Sequence, residues 1–269
     1  ILENQNGISF KSHLVTKGGN WMGLGVADID NDGDQDLFST NIGDDMTRTN
    51  LSVGDAKPDQ QIFSHVLLRN DGNFKFVDIA KRQGIGGDGF GWGAILEDIN
   101  LDGKADLLFS DKFLAELRHI LFPGPSYYYE QTDKGFERKF KYKNYGFGQT
   151  PLTADVNDDG IKDVIWINLK GATIAYLGEK ANNYINVKLP DDNRFINSKV
   201  IVKSGDFVQV KENIHGGVGF GSDMSDVLSF GLKDRMIIDK VMVITLSGDE
   251  YFVLKPKINT TLLLKDLKY

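Results

Sequence analysis

Apolar residues fall in short runs separated by clusters of Gly, Asn and Asp along most of the chain. Three glycine-rich approaches, residues 21–27, 90–96 and 147–154, each lead into an acidic stretch and then into a short apolar run, 37–39, 105–109 and 164–167. Runs of this length, rich in β-branched and aromatic residues and bounded by turn formers, predict strands, so each unit predicts a hairpin with the acidic stretch as its turn. A second strand pair follows the first hairpin: 66–69, a tight turn at 70–73, and an alternating run at 74–77. In the second unit the matching runs are 119–122, the Pro123-Gly124-Pro125 break, Tyr127 to Tyr129, and 136–140. Residues 44–60 are polar and patternless and are expected to be an insertion. From Asn182 the character changes. Runs at 184–189, 199–202, 207–210, 227–232, 239–244 and 251–254 show no helical period and predict a separate small β-sandwich or barrel. The expected organisation is all-β, with domains at 1–181 and 182–269.

The acidic turns carry the chemistry. Residues 28–36 place Asp28, Asp30, Asp32, Asp34 and Asp36 at alternate positions, with Gly33 at the sixth. Residues 98–106 repeat the pattern with Asp98, Asn100, Asp102 and Asp106 around Gly103, and residues 155–163 with Asp155, Asn157, Asp159 and Asp163 around Gly160. Five like charges in nine residues repel one another unless a cation sits among them. Calcium suits this loop because it accepts six to eight oxygens at loosely constrained geometry, whereas magnesium demands an octahedron. Position seven varies through Asp34, Lys104 and Ile161, as a main-chain carbonyl ligand permits. An EF-hand loop starts the same way but needs a glutamate at its twelfth residue, and here that residue is Ser39. A single copy reads equally well as an acidic turn on a solvated face; three copies with the same offsets favour metal, about three calcium ions in all. Asn at position three of the second and third loops implies weaker binding there.

Composition narrows the class. The 269 residues are 41% hydrophobic and 26% charged, enough for one large or two smaller globular domains. The formal net charge is −7, yet the loops hold five, three and four carboxylates, and three calcium ions would leave the loaded chain at about −1. There is no cysteine, which excludes disulfides, thiol catalysis and thiolate metal sites. No apolar stretch reaches the roughly 20 residues of a membrane helix. Basic residues are scattered, which does not favour nucleic acid, and Lys139, Lys141 and Lys143 read as the solvated side of a strand. A start at Ile1-Leu2-Glu3 is expected of a processed or excised chain.

Enzymatic constellations are thin. His13, His65, His119 and His215 stand singly, without a partner at triad spacing, and structural or surface roles are expected. His215 lies beside glycines whose amides can accept an anion or a sugar oxygen. Glu97-Asp98 resembles a glycosidase carboxylate pair, but Asp98 belongs to a metal loop. Trp21 and Trp92 hold equivalent places before their loops and are expected in the core between units, while Tyr127 to Tyr129 are expected in an exposed contact loop.

The glycine clusters at Phe90-Gly91 and Gly93-Ala94, the three acidic loops and Leu68-Arg69-Asn70-Asp71-Gly72 together resemble FG-GAP (VCBS) repeats, the calcium-binding blades of integrin-type β-propellers, over about residues 8–180. The resemblance implies side-chain ligation by Asp28, Asp30, Asp32 and Asp36, by Asp98, Asn100, Asp102 and Asp106, and by Asp155, Asn157, Asp159 and Asp163. It implies carbonyl ligation from Asp34, Lys104 and Ile161. The last 88 residues resemble the UnbV domain of the CRTAC-like (ASPIC/UnbV) family, through Asn193-Arg194, 215–221, Ser229-Phe230-Gly231-Leu232 and Ser247-Gly248. Two departures, at 196–199 and at Thr245-Leu246, mean that a pocket relatives form there is not expected to carry over. Three repeats are fewer than the four to eight blades that close a propeller. The remaining blades are therefore expected from another protein chain or from missing N-terminal blades. The resulting expectation is a partial propeller of about three blades acting as a calcium-stabilised, extracytoplasmic (periplasmic, secreted or cell-surface) binding protein for a protein or glycan partner. The alternatives are a scaffold subunit of an exported complex and, least favoured, a polysaccharide-active enzyme.

Overall fold

The structure, a computed structural model, describes residues 1–42, 62, 64–87, 91–111, 126–142, 148–169, 171–214, 219–222 and 225–263. The 44–60 insertion, the 119–122 run and the Pro123-Gly124-Pro125 break lie outside these residues, as do His119, His215 and Lys143. Every regular element among the described residues is a strand except a 3₁₀ turn at Asn193–Phe195.

The chain opens with a hairpin of β1 (Leu2–Gln5) and β2 (Ser9–Ser12) that the apolar pattern did not predict. Sheet I follows as a meander of β3 (Trp21–Ala27), β4 (Asp36–Asn41), β5 (Val66–Asn70) and β6 (Phe76–Asp78). Sheet II repeats it with β7 (Gly91–Glu97), β8 (Asp106–Asp111), β9 (Ser126–Thr132) and β10 (Gly135–Tyr142). Sheet III has three strands, β11 (Gly148–Ala154), β12 (Asp163–Asn168) and β13 (Ile174–Tyr176). In each sheet the first two strands flank an acidic loop, so the expected hairpins with acidic turns are present three times. The strand expected at 74–77 begins at Phe76 instead, because Asn73 and Phe74 adopt φ of 52° and 59° and extend the turn.

The sheets stack face to face. Phe38, Leu67 and Ile79 of sheet I share a core with Ala94, Leu107 and Phe109 of sheet II, and Ile95, Leu108 and Tyr128 of sheet II pack on Val164 and Trp166 of sheet III. The glycine approaches make this possible. A Cβ on Gly23 would collide with the Trp92 carbonyl oxygen and come within 2.7 Å of the Ala94 nitrogen, so β3 and β7 approach too closely for any side chain.

The C-terminal part contains β14 (Asn183–Lys188), β15 (Lys199–Ser204), β16 (Phe207–Glu212), β17 (Val227–Lys233), β18 (Lys240–Ile244), β19 (Glu250–Leu254) and β20 (Thr261–Leu263). They form a three-stranded sheet, β17-β14-β20, and a four-stranded sheet, β16-β15-β18-β19, around one core that includes Ile185, Val200, Phe230 and Val241. This is a sandwich arrangement; the described strands do not close into a barrel. A loop from this part reaches the first strands of the stacked sheets. Gly219 exchanges backbone hydrogen bonds with Leu24 of β3, Phe220 meets Trp92 of β7 edge to face at 4.7 Å, and Ser222 Oγ lies 3.5 Å from Thr150 Oγ1 of β11.

Candidate metal centres

The three acidic loops share one conformation. Position four is left-handed in each, at Asn31, Leu101 and Asp158 with φ of 58°, 61° and 58°, and position six is left-handed at Gly33, Gly103 and Gly160 with φ of 96°, 91° and 86°. Asn and Asp tolerate that backbone; Leu101 does not, and its side chain is held there by burial against Ile161 and Tyr184. The position-one carboxylate receives the N–H groups of positions five and six: Asp32 and Gly33 on Asp28, Asp102 and Gly103 on Asp98, Asp159 and Gly160 on Asp155. The position-five carboxylate receives the N–H of position seven, from Asp34, Lys104 and Ile161. These bonds curl the backbone of all three loops, and among the described residues three carboxylates converge in the first loop alone.

Position nine does two jobs. One oxygen of Asp36, Asp106 and Asp163 accepts the N–H of loop position two, from Ile29, Ile99 and Val156 at 2.8, 3.2 and 2.8 Å. The other accepts an N–H from the chain that runs alongside β4, β8 or β12, from Asn70, Gln131 and Gly178 at 2.7, 2.9 and 2.8 Å. All three carboxylates are fully buried. The ninth aspartate therefore fastens the loop to the next strand as well as closing it, a role that spacing alone did not reveal.

In the first loop, carboxylate oxygens of Asp28, Asp30 and Asp36 lie within 4.8 Å of one another. That is about the span of oxygens on opposite sides of a calcium ion with bonds of roughly 2.4 Å. The donor set is hard oxygen throughout and fits calcium. The electrostatics agree. Burial pushes Asp28 up to about 6, Asp36 and Asp98 to about 7 and Asp106 to about 8, and it raises Asp30 above the usual carboxylate range. Among the described residues no lysine or arginine forms an ion pair with Asp28, Asp36, Asp98 or Asp106, and Arg69 stands 4.0 Å from Asp30. Carboxylates this reluctant to ionise become favourable as anions when a divalent cation joins them.

The loops are buttressed by their surroundings. Asn31 Nδ2 donates to the Gly103 carbonyl at 3.5 Å, and Gln131 Nε2 to that of Ile29 at 2.7 Å, which ties loop one to sheet II. The C-terminal part covers loops two and three. Lys233 N donates to Leu101 O, and Asn186 Nδ2 donates to Gly160 O at 2.9 Å.

Between loops one and two and strand β16 lies a cleft of about 100 Å³. On it sits a buried charge cluster in which Glu97 accepts from Lys211 Nζ at 2.8 Å and pairs with Lys162 Nζ at 3.3 Å. Burial would raise Glu97, but the two lysines hold it down at about 2. Lys162 and Lys211 were not singled out in the sequence; Lys162 is the eighth residue of loop three and Lys211 lies on β16, so no local spacing links them to Glu97. The pair Glu97-Asp98 thus divides between an ion-pair cluster and the first position of an acidic loop.

The remaining candidates fall into structural places. His65 is buried, accepts the Asn41 N–H at Nδ1 and is pushed down to about 4 by burial. His13 pairs with Glu3 at 2.7 Å and stacks on Phe74. Tyr127 to Tyr129 are not in an exposed loop. They lie within β9, where Tyr127 and Tyr129 pack on Phe109 and Tyr128 is buried with its hydroxyl donating to Asp106. An alternating position in a strand buries one tyrosine of three and hands the others to a neighbouring sheet, which outweighs the proximity of a proline turn.

Residues 190–268 match the family described as ASPIC and UnbV. The matched segment begins after β14, yet β14 is the middle strand of the β17-β14-β20 sheet, so the folded unit starts earlier than the match. No curated protein matches the chain.

Proposed function

We propose that this chain is a calcium-stabilised extracytoplasmic binding protein. Sheets I to III are three FG-GAP blades of a partial β-propeller, and an ASPIC/UnbV domain is docked on their metal loops. The observation that carries this reading is the threefold recurrence of one loop geometry with buried carboxylates that have no ion pair in the described chain. Loops of this kind bind calcium over about 10⁻⁷ to 10⁻³ M, a range filled outside cells and mostly empty in cytosol, which supports an exported location. The ions are structural: each offsets carboxylate repulsion inside a turn, and the backbone and side-chain oxygens of the loop leave little room for a substrate. The chain is non-catalytic in this reading, since Glu97 is engaged by two lysines and, among the described residues, the remaining acid-base pair, His13 with Glu3, sits on the β1–β2 hairpin with His13 stacked on Phe74. Its loops would meet a protein or glycan partner.

Isothermal titration of chelator-treated protein with calcium should show about three sites, with the first loop tightest, and an accompanying rise in Tm. Absence of both binding and stabilisation at millimolar calcium would refute the reading. A scaffold role in a larger complex is the second reading, favoured by the small number of repeats, and native mass spectrometry of protein from its source would reveal the companion chain.

A further inference from the structure

One end of the C-terminal sandwich combines exposed apolar side chains with cations that have no partner. On the loop that joins β17 to β18, Met236 and Ile237 are 70% and 65% exposed. Leu254, at the end of β19, is 63% exposed; it pairs with Lys240 of β18, which pairs with Lys203 of β15, so the three side chains form one row on the outer face of that sheet. Single exposed apolar residues are ordinary, whereas two in succession on a fastened loop present a shaped apolar surface. Several contacts fasten the loop. Ile238 is fully buried behind the exposed pair. Ser204 Oγ donates to the Ile237 carbonyl at 2.6 Å, Asp239 N to that of Lys203 at 2.8 Å and Lys255 N to that of Asp239 at 3.1 Å, while the Arg235 guanidinium lies 3.9 Å over the Phe207 ring. Met236 and Ile237 are therefore held in place before any contact, and little backbone entropy remains to be lost on binding.

Positive charge gathers at the same end. Segments 203–207, 233–240 and 254–257 carry Lys203, Lys233, Arg235, Lys240, Lys255 and Lys257 against Asp206, Asp234 and Asp239, in a chain whose formal net charge is −7. Among the described residues none of these charged groups forms an ion pair, although lysines elsewhere on the sandwich do, Lys188 with Asp226 and Lys199 with Glu212. The Asp239 carboxylate is engaged instead by the Gly205 N–H at 2.7 Å. The turn at the opposite end of β18, residues 245–249, serves as a contrast: Leu246 is just as exposed there, but the turn has no cation, and Asp249 and Glu250 follow it.

We propose that this end of the sandwich docks on an anionic bilayer surface, with Met236 and Ile237 entering the acyl boundary, Leu254 at headgroup depth and the surrounding lysines on lipid phosphates. Charge complementarity selects the anionic surface, since unpaired cations in an otherwise acidic chain lose nothing by leaving one another for phosphate. The shape selects a fluid interface. The apolar pair stands on a loop crest and lines no part of the cleft beside β16, and long lysine side chains follow mobile headgroups while their stems cover apolar surface. Such docking is weak, reversible and salt-sensitive, because three apolar side chains bury little area and each cation adds a modest, screened attraction.

The test uses the full chain in calcium buffer with vesicles of phosphatidylcholine, either alone or mixed in equal parts with phosphatidylglycerol. The chain has no cysteine, so Ile237→Cys takes a single polarity-sensitive fluorophore, and Leu246→Cys carries the same label at the opposite end of β18. The expected result is a blue shift at position 237 and none at 246. Co-sedimentation with the mixed vesicles should be at least roughly tenfold stronger than with the neutral ones, with most of that gain lost at about 0.5 M salt. Met236→Ser with Ile237→Ser should abolish co-sedimentation, and Lys203→Glu with Lys255→Glu should remove the preference for the mixed vesicles; Tm should stay unchanged in both, because all four side chains are exposed. The proposal is overturned if the mixed vesicles give no gain, if the label at 246 shifts as far as that at 237, or if the serine variant still sediments with them. It is also overturned if soluble polyglutamate shifts the 237 label as far as the vesicles do, which makes an acidic protein segment the occupant. Dimerisation of the chain alone that the serine variant abolishes, read by light scattering, overturns it as well, since a second copy then covers this end.

Discussion

Replacing Glu97 with Gln tests whether the charge cluster joins the N-terminal sheets to the C-terminal sandwich. The carboxylate lies 2.8 Å from Lys211 Nζ and 3.3 Å from Lys162 Nζ, and both Glu97 and Lys162 are almost fully buried. At 3.3 Å and an effective dielectric of about 20, each attraction is worth about 5 kcal/mol before desolvation is charged against it. Glu97→Gln keeps the shape and leaves two cations facing a neutral amide, one of them out of water. Removing one partner of a buried pair costs about 3–5 kcal/mol, and that is the expected loss. Lys211→Met should cost only about 1–2 kcal/mol, because Glu97 retains Lys162 and Lys211 is partly exposed; the two changes together should fall short of their sum by about 1–2 kcal/mol. All three tryptophans lie in the first 181 residues, so their fluorescence follows the N-terminal sheets in urea while far-ultraviolet circular dichroism follows both parts. Coincident transitions are expected for the parent in calcium, and separated ones for Glu97→Gln. The penalty should shrink at alkaline pH, where Lys162, already lowered by burial, gives up its proton. A loss under about 1 kcal/mol, or exact additivity with Lys211→Met, would refute the idea that this cluster couples the two parts.

Stability should depend on pH in opposite senses with and without metal. Asp28, Asp36, Asp98 and Asp106 are raised to between about 6 and 8, so in chelator their favourable protonated form is fully present below about pH 4 and is lost as pH rises through that upper window. Metal-free protein should thus lose Tm from pH 5 to pH 8, whereas calcium affinity should climb over the same interval as those protons are displaced; thermal scans in chelator and in calcium check both. Gly23→Ala forces a methyl into the β7 backbone and should cost about 1–3 kcal/mol by urea unfolding; a loss under about 0.5 kcal/mol would show that the two strands are not in close contact. Trp166→Ala empties the centre of the sheet II–III core and should cost about 3–5 kcal/mol. Phe220→Ala removes the ring against Trp92 and should shift tryptophan emission while leaving calcium stoichiometry unchanged, as fluorescence and titration would show.

The sequence by itself determined the elements whose information is local. Strand periodicity, the Asp and Asn offsets and Gly33, Gly103 and Gly160 specify three hairpins with acidic turns, because alternation, left-handed backbone and ligand spacing are all set within about ten residues. Tertiary structure decided what those offsets cannot encode. Residues distant in the chain supply the N–H that fastens each ninth aspartate, Leu101 holds a left-handed conformation only because Ile161 and Tyr184 cover it, and Lys162 and Lys211 reach Glu97 from two other elements. The misplacement of Tyr127 to Tyr129 has the same origin: neighbouring residues signalled a loop, and burial against Phe109 and Asp106 made a strand. The β1–β2 hairpin escaped the sequence pattern because its apolar residues, Leu2 and Phe10, stay mostly exposed among the described residues. A strand is recognised by the face it hides, and β1 and β2 hide little of either face.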